Sequence, residues 1–465
     1  MGNSSEFQPV RNLLALCLAS FTVTTGFGVI IPFFPIYANN ILITYRLLGF
    51  EIGVALQIGI LTSAFMFTRF ILAPSFGDLS DSVGRKPIIL VGMSIYAFLM
   101  IGFGLAFDFL TLLVIRALQG VASASVWPVG EALVVDTAPK DKIGRNLGYY
   151  LTSMQTGMAT GPFLAFVLYF LLQDVMGVPE TQSYRMTFIM VGVLGFLAVL
   201  IIAFTVTDPL TLGLNIGLTV LYKRSLGLMF HKMVRAPKFL VQQLLERGTY
   251  RTRSMYALYS VAVINGFGFA MVFPVVSLFL EDYYELAPGG IALVLGVVGL
   301  LALVGGPLGG HFSDIFGRKT VVWVSGLFAG VALLGFGLAY GLLFLVGLLL
   351  VQRFVFAILQ PSFRALQSDL TPGTVRGREF GVLQAAFNLG SVLGPIIGGL
   401  LYDMFFMKGF ELSFGFTTHY YGAGVPFGFA GLIAILASIV LLLSVNMDRD
   451  GVKEAEYPTP TELQC

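Results

Sequence analysis

Twelve long apolar stretches constrain this chain more than any other feature of its sequence. A helix needs about 20 consecutive apolar residues to cross the hydrocarbon core of a bilayer. The stretches cover residues 12–38, 51–76, 87–107, 109–135, 146–173, 186–206, 254–281, 289–311, 319–341, 342–369, 378–406 and 423–446. Because a bilayer offers no water to unpaired backbone groups, each stretch is predicted to be a helix. The predicted fold class is an all-α membrane protein with twelve transmembrane helices.

The composition supports a membrane protein and excludes several other classes. Hydrophobic residues make up 57% of the 465 residues and charged residues only 11%, whereas a soluble domain carries about 25% charged residues. The net charge of +2 gives no reason to expect a nucleic-acid partner. Three scattered histidines and the lack of a phosphate-binding Gly-rich motif predict no enzyme, cofactor or metal site.

The basic residues predict how the chain is oriented. One set of connections holds twenty of them, namely Arg11, Arg85, Lys86, Lys140, Lys142, Arg145, Arg318, Lys319, Arg376, Arg378, Arg449, Lys453 and eight between Lys223 and Arg253. The opposite set holds only Arg46, Arg185 and Lys408. Cytoplasmic loops of membrane proteins are enriched in Lys and Arg. Both termini are therefore expected in the cytoplasm, with the chain spanning the cell membrane many times.

One long connection divides the chain into two predicted halves. The expected domains are an N-terminal six-helix bundle at 1–206, a linker at 207–253, a C-terminal bundle at 254–446 and a cytoplasmic tail at 447–465. Within the linker, residues 215–245 mix apolar and basic residues, which favours an amphipathic helix on the cytoplasmic membrane surface. A linker without regular structure is the alternative.

An internal repeat relates the two halves at a displacement of 233 residues. Gly77, Asp81, Gly84, Arg85 and Lys86 match Gly310, Asp314, Gly317, Arg318 and Lys319. Asp136, Arg145, Gln155, Gly157, Gly161 and Pro162 match Asp369, Arg378, Asn388, Gly390, Gly394 and Pro395. Each half has six spans, so both halves share one orientation and are expected to be pseudo-symmetric about an axis along the membrane normal.

Four short motifs resemble those of one transporter family. The stretch from Gly77 to Pro87 resembles the cytoplasmic loop signature of the major facilitator superfamily, and His311 to Lys319 repeats it. Arg116 to Gly120 resembles the fourth-span motif of that family. Gly157 to Pro162 resembles the fifth-span motif of its drug/proton antiporters, although Ala165 replaces the usual glycine. The resemblance covers about residues 12–446 and implies two six-helix bundles that rock about a central site.

The repeated loop motif predicts a latch on the cytoplasmic side. Glycine permits a tight reversal between helices, and an aspartate there can bond an arginine or a helix N-terminus. Asp136 and Asp369 end the fourth and tenth spans on the same side, as partners for Arg85 and Arg318 or for Arg145 and Arg378. The predicted latch comprises Gly77, Asp81, Gly84, Arg85, Lys86, Asp136, Arg145, Asp314, Gly317, Arg318, Lys319, Asp369 and Arg378. A simple topology anchor is the alternative.

Charges inside the membrane are costly, so each is a candidate functional residue. Glu131 is the acidic residue predicted to lie well inside a span, and the repeat places Arg364 at its equivalent position. Glu131 is a proton site or substrate contact, a gate partner of Arg364, or part of a structural ion pair.

Other polar residues inside the predicted spans are candidates for contact with substrate or protons. Arg116 resembles the family's fourth-span arginine, with a hydrogen-bonded structural arginine as the alternative. Arg353 faces substrate or is buried against a partner. The remaining candidates are Arg69, Thr25, Gln155, Asn265 and Asn388, and the resemblance implies that the first and seventh spans line the cavity.

Paired glycines mark the fifth and eleventh spans. Gly157 and Gly161, like Gly390 and Gly394, lie four residues apart and so share one helix face. Pro162 and Pro395 are expected to kink these spans. The resemblance implies faces that let the two halves slide and limit leak, and simple helix packing is the alternative.

Together these features predict a secondary active transporter, most simply a monomer, that exports a small organic solute in exchange for protons. A symporter or uniporter of an organic anion or metabolite is one alternative, and a membrane sensor that does not transport is another. The first span lacks the embedded acid of several multidrug antiporters. The four intramembrane arginines therefore make an anionic or zwitterionic substrate as plausible as a cationic drug.

Overall fold

The computed structural model describes residues 4–42, 45–47, 50–139, 142–206, 252–371, 376–413 and 417–446. Within these ranges, twelve helical segments are long and apolar enough to cross a membrane. Their number and order confirm the all-α membrane fold predicted from the apolar stretches. Large apolar side chains such as Phe98 and Leu343 lie exposed on the outer helix faces, where lipid is the solvent.

The first half of the chain supplies six of these segments. They are α1 (Ser4–Ile41), α2 (Val54–Val83), α3 (Arg85–Gly104), α4 (Phe109–Thr137), α5 (Ile143–Phe170) and α6 (Glu180–Thr205). A π-helical turn at Leu171–Val175 extends α5. Between α1 and α2, strands β1 (Tyr45–Leu47) and β2 (Phe50–Ile52) form a short antiparallel hairpin. No apolar pattern in the sequence predicted this hairpin.

The second half supplies the other six segments from seven helices. They are α7 (Arg253–Val272), α8 (Val276–Asp282), α9 (Pro288–Phe316), α10 (Arg318–Leu334), α11 (Leu342–Leu370), α12 (Arg376–Phe405) and α13 (Val425–Ser444). The seventh span consists of α7 and α8, and Pro274 lies in the break between them, where its missing N–H ends a helix. Strands β3 (Gly409–Ser413) and β4 (Thr417–Tyr421) form a second hairpin before α13.

The internal repeat is visible in the helix bounds. A displacement of 233 residues carries α4 onto α11 at both ends, and it carries the first residue of α5 onto the first residue of α12. The packing partners repeat as well. Helix α5 packs on α1 as α12 packs on α7, and α3 packs on α4 and α6 as α10 packs on α11 and α13.

The chain forms two compact units. Unit 1 comprises 1–44, 60–242 and 285–299, and unit 2 comprises 45–59, 243–284 and 300–465. The start of α2 thus groups with unit 2, and the start of α9 groups with unit 1. Each unit has its own apolar core, exemplified by Leu79 and Leu133 in unit 1 and by Leu366 and Leu441 in unit 2. The predicted amphipathic helix at 215–245 and the tail at 447–465 lie outside the described residues.

Candidate functional site

The motif between α2 and α3 forms a bonded cluster in unit 1. Arg85 donates to Asp136 at the end of α4, and its Nη1 lies 2.9 Å from Asp81 Oδ1 and 3.0 Å from Ser80 Oγ. Gly84 has a φ of 102° between the two helices, a conformation that side chains disfavour. One guanidinium thus holds the end of α4 to the turn between α2 and α3.

Unit 2 contains the equivalent arginine–aspartate pair. Arg318 donates to Asp369 and, at 3.1 Å, to the carbonyl oxygen of Ala365. Gly317 has a φ of 83° at the turn between α9 and α10. Asp314 is exposed, and in the described part of unit 2 the recorded ion pair of Arg318 is with Asp369 alone. The second copy is therefore held by fewer bonds than the first.

Among the described side chains, the terminal aspartates pair with the arginines of the loop motifs. Asp136 pairs with Arg85 and Asp369 with Arg318, whereas Arg145 is exposed on α5. The side chain of Arg378 lies outside the described residues. Gly77 lies one turn before Asp81 on α2, where an added Cβ would meet no atom.

The lysine of each loop motif donates hydrogen bonds to backbone carbonyl groups at the C-terminal end of the last span of its half. Lys86 Nζ lies 2.8 Å from the carbonyl oxygen of Ala203 and 2.7 Å from that of Val206, at the end of α6. Lys319 Nζ lies 2.6 Å from the carbonyl oxygen of Val445, just after α13. Cations near a helix C-terminus satisfy carbonyl groups that have no partner within the helix.

Glu131 and Arg69 interact electrostatically inside unit 1. Glu131 lies in α4 and is the carboxylate that interacts electrostatically with Arg69 of α2. The Arg69 guanidinium also lies over the ring of Trp127, 5.5 Å from its centroid. Tyr150 of α5 is a further electrostatic neighbour of Glu131. A guanidinium therefore stacks on an indole within the membrane-spanning part of the unit, with a carboxylate as its electrostatic neighbour.

A small cavity of about 20 Å³ adjoins this group between α1, α3, α4 and α6. Phe27 lines it, stacked on Tyr96 with ring centroids 4.7 Å apart and edge-on to Trp127 at 5.5 Å. Tyr96 Oη, Ser123 Oγ and Trp127 Nε1 are buried and have no hydrogen-bond partner among the described residues. Aromatic walls with a few polar groups are typical of a ligand pocket.

Arg116 lies in an aromatic cage in the core of unit 1. Its guanidinium is 3.8 Å from the ring centroid of Phe34 and 5.1 Å from that of Phe103. The Arg116 residue is only 4% exposed, and its Nη1 donates to Gln119 Oε1 at 3.4 Å. Arg116 is thus buried among aromatic rings, and both interpretations of its role stay predictions.

Two of the remaining arginines lie in unit 2. Arg364 is exposed and donates to Gln384 Oε1 at 3.3 Å, and Gln384 in turn donates to Asn388 Oδ1 at 3.2 Å. The Arg353 guanidinium lies 5.7 Å from the ring centroid of Phe269, which stacks on Phe356. Arg364 therefore lies beside two hydrogen-bonded amide side chains, and Arg353 lies beside a pair of stacked aromatic rings.

The other polar candidates are less closely grouped. Thr25 is buried and donates to the carbonyl oxygen of Phe21 in its own helix. Asn265 is half-buried in α7, and Gln155 is exposed on α5. Asn388 alone joins a predicted partner, through the chain that leads to Arg364.

The paired glycines pack helices inside each unit. A Cβ added at Gly157 would overlap Thr24 of α1, and one added at Gly161 would overlap Gly28 of the same helix. In unit 2, Gly390 and Gly394 lie against the α7 backbone in the same way. Pro162 and Pro395 lie inside α5 and α12. In this structure the glycine faces serve close helix contact, and the sliding face stays a prediction.

A family model described as Major Facilitator Superfamily matches residues 16–245 and 258–463. The chain belongs to this superfamily. It is therefore a multi-pass membrane transporter and not an enzyme, as the sequence predicted.

The chain also resembles individual members of the superfamily along most of its length. It is 23% identical to the quinolone resistance protein NorA of Staphylococcus aureus, over 96% of this chain and 99% of the relative. It is 25% identical to a multi-drug resistance efflux pump PmrA homolog of Lactococcus lactis, over 84% of this chain and 88% of the relative. One similar solved structure is that of a bacterial homolog of the human lysosomal transporter Spinster, in an inward-facing and occupied conformation. It matches with a TM-score of 0.74 at 16% identity, over 98% of this chain and 100% of that chain.

One buried acid of this superfamily member was missed by sequence reasoning. Glu379 begins α12 and is fully buried. It accepts a hydrogen bond from the Tyr259 hydroxyl, and its carbonyl oxygen accepts one from Gln367 Nε2 at 2.8 Å. Glu379 is the second residue of the predicted span 378–406 and follows Arg376 and Arg378, so its charge is expected to face water at the membrane edge. No local pattern indicates that α7 and α11 cover it.

Proposed function

We propose that this transporter exports a small amphipathic, aromatic organic compound across the cell membrane in exchange for protons. The observation that carries the proposal is the stacking of Arg69 on Trp127 at the aromatic cavity of unit 1, with Glu131 as an electrostatic neighbour of Arg69. The names of the quinolone resistance and multi-drug efflux relatives support export of such compounds. Low identity to those relatives leaves the substrate to be decided by the chemistry of the site.

Glu131 is the proposed proton site. A nearby cation favours the ionised form of a carboxyl group, and removal from water favours the protonated form. Arg69 supplies the cation in unit 1. A movement of α2 relative to α4, or a substrate anion on Arg69, weakens that support and lets Glu131 take up a proton. Proton binding and substrate binding are thereby linked through one arginine.

The aromatic cavity, once its walls move apart in the transport cycle, is the proposed site for the apolar part of the substrate. Phe27, Tyr96 and Trp127 present ring faces and edges, which favour aromatic ligands. The Trp127 and Tyr96 donors without partners are available to a polar substituent, because a buried donor left unpaired is costly. Arg69 beside Trp127 suits a carboxylate on the same compound. The cavity chemistry therefore favours aromatic anions and zwitterions over simple cations.

The basic loops set the proposed orientation and the proposed gate. With Arg85 and Arg318 on the cytoplasmic side, both termini are cytoplasmic. The Arg85–Asp136 and Arg318–Asp369 pairs then stabilise one of the two access states from inside. Every group in this scheme comes from one chain, and we infer that the transporter acts as a monomer.

Transport in proteoliposomes that contain a pH-sensitive dye tests the proposal. The solute panel contains lipophilic cations, aromatic carboxylates and aromatic zwitterions. We expect an imposed proton gradient to drive uphill movement of an aromatic anion or zwitterion, with matching proton movement in the opposite direction. Glu131→Gln should abolish the proton movement, and Glu180→Gln, a change at an exposed carboxylate at the start of α6, should not. Solute movement without any proton movement would identify a uniporter and contradict the proposal.

A further inference from the structure

Helix α2 begins without a capping residue of its own. Gly53 precedes its first residue, Val54, and its first turn contains no acidic side chain. The first backbone N–H groups of a helix have no partner within the helix. A local Ser, Thr, Asp or Asn usually accepts from them. The start of α2 therefore depends on an acceptor from elsewhere in the chain.

Asp403, near the end of α12, supplies that acceptor within unit 2. The backbone N–H of Ala55 donates to Asp403 Oδ1 at 3.2 Å, and that of Leu56 donates to Asp403 Oδ2 at 2.8 Å. The carboxylate thus accepts two N–H groups at the positive end of a helix dipole. Hydrogen bonds to an ionised acceptor are about twice as strong as neutral ones. A single side chain joins two helices that are more than 340 residues apart in sequence.

Glycines let the two helices approach closely enough for this bond. A Cβ added at Gly53 would overlap the Asp403 carboxylate, so no other residue type fits there without moving it. A Cβ added at Gly399, one turn before Asp403 on α12, would overlap the carbonyl oxygen of Ala55. The cap therefore exists only while α2 lies against α12.

Among the described residues, the charged side chains near Asp403 are acidic. Asp282 at the end of α8 accepts from the Tyr402 hydroxyl at 2.9 Å and interacts electrostatically with Asp403. Glu281 lies close enough to interact with Tyr402 as well. In the described part of unit 2, neither Lys nor Arg forms a recorded salt bridge with Asp403. Among the described residues, the N-terminal end of α2, with its positive dipole, is thus the favourable electrostatic partner of this carboxylate.

The equivalent contact in the other half carries no charge. The repeat displacement of 233 places Phe170 at the position of Asp403 and Pro288 at the position of Ala55. Proline has no N–H and needs no cap at a helix start. In unit 1, Gly289 at the start of α9 instead packs on the ring of Tyr169, with an added Cβ 3.3 Å from Tyr169 Cδ1. Of the two related contacts, the one through Asp403 is the one in which a carboxylate caps a helix start.

We propose that Asp403 is a second latch of the transport cycle, on the membrane side opposite Arg85 and Arg318. When ionised, Asp403 holds the start of α2 on α12. When protonated, it loses the charge that strengthens both bonds, and α2 separates from α12. The positive-inside rule makes this the outer side, so a proton that arrives from outside opens the access path for release of substrate. The role of the latch in export rests on the proposed proton-coupled function, but the acid response of the contact does not.

Distance measurements between two spin labels test the latch directly. The labels go on cysteines introduced at Phe107 in unit 1 and Met407 in unit 2, which are 71% and 90% exposed, after Cys17→Ser and Cys465→Ser. The transporter is measured in lipid nanodiscs by double electron–electron resonance, in neutral and in acidic buffer, without substrate or gradient. We expect acid to shift the wild-type population toward longer distances. We expect Asp403→Asn to show the longer distances already at neutral pH, raising the ratio of long to short roughly tenfold, which corresponds to about 1.4 kcal/mol.

Matched variants separate the latch from general damage. Asp403→Glu keeps the charge and should keep the acid response. Ala55→Pro removes one donor as Pro288 does in the repeat, and it should lower the response. Asp108 caps its own helix through the Thr111 N–H, a bond that holds the pKa of Asp108 below its ordinary value. Asp108→Asn should therefore leave the acid response intact, and so should Asp282→Asn.

Two results would overturn the latch. One is an Asp403→Asn protein that folds and shows the wild-type distances in both buffers. The other is an acid response that survives in full in Asp403→Asn or disappears in Asp282→Asn. Neither result bears on Glu131, because no substrate or proton gradient is present. Conversely, if the liposome experiment shows no exchange of drug for protons, the acid response of the Asp403 contact can still be observed.

Discussion

Lys86 Nζ donates to the carbonyl oxygen of Val206 across 2.7 Å and so closes the end of α6. Lys319 Nζ stands in the same relation to Val445 after α13, at 2.6 Å. The lysine of each loop motif is therefore bonded to the last span of its own half. This gives the lysine a structural task that differs from that of the preceding arginine, which bonds the fourth or tenth span.

Replacing this lysine should destabilise the transporter. Lys86→Met keeps the length of the side chain but leaves two carbonyl groups at the end of α6 without their cation. We expect a loss of about 1–2 kcal/mol, because a hydrogen bond to a charged group and a favourable helix-dipole contact are both removed. Thermal unfolding in detergent measures the loss. Lys142→Met, at an exposed lysine before α5, is the control and should unfold at the wild-type temperature.

The two arginine latches should differ in strength. Arg85 bonds Asp136, Asp81 and Ser80, whereas Arg318 bonds Asp369 and one carbonyl oxygen. Double-mutant cycles with Arg→Gln and Asp→Asn measure the coupling of each pair. We expect coupling of roughly 0.5–3 kcal/mol in both units, the range for residues in contact. Arg85→Gln should cost more stability than Arg318→Gln, because Arg85 makes more bonds. Zero coupling for Arg85 with Asp136 would show that the pair does not act as a latch.

The aromatic cage of Arg116 should matter for stability. Phe34 lies 3.8 Å from the guanidinium, and a desolvated cation–π contact is worth about 2 kcal/mol. Phe34→Leu should therefore lower the unfolding temperature and make Arg116→Met less damaging than it is in the wild-type background. Phe163→Leu changes an exposed phenylalanine of α5 and is the control. Equal effects of Phe34→Leu and Phe163→Leu would contradict the cage.

The glycine pairs offer a test within a single helix. An alanine at Gly161 has no room for its Cβ beside Gly28, whereas one at Gly148, also in α5, meets nothing within 4 Å. Gly161→Ala should force α1 and α5 apart, at a cost of about 1–3 kcal/mol for an overpacked contact. Gly148→Ala should be neutral or stabilise by up to about 1 kcal/mol, because alanine favours helix. Detergent stability of the two variants decides the comparison.

Periodicity and motif spacing predict the parts of this fold that repeat. The apolar stretches give the twelve spans, and the displacement of 233 residues matches the helix bounds of α4 and α11. The repeated Asp-x-x-Gly-Arg-Lys loops are enough to single out Arg85 and Arg318 from the amino-acid sequence. The apolar stretches and the loop motifs can be recognised in the sequence because each lies within one continuous segment.

Contacts between distant, unrelated segments could not be predicted in the same way. Asp403 bonds the start of α2 across most of the chain, and its repeat equivalent is Phe170, so no repeated motif points to it. The sequence gives no sign that Glu379 is buried, because its bonding partners Tyr259 and Gln367 lie in two other helices. The cage around Arg116 is built from three helices whose phenylalanines look like lipid-facing residues in the sequence.

Proton-driven transport by a Glu131→Gln protein tests the central claim most directly. The measurement compares uphill solute movement under a proton gradient with solute-for-solute exchange at equal pH, in the same proteoliposomes. If Glu131 carries the proton beside Arg69, the variant should lose gradient-driven accumulation and proton movement but retain exchange. If the variant still accumulates solute and moves protons as the wild type does, Glu131 is not the coupling site, and the account given for unit 1 is wrong.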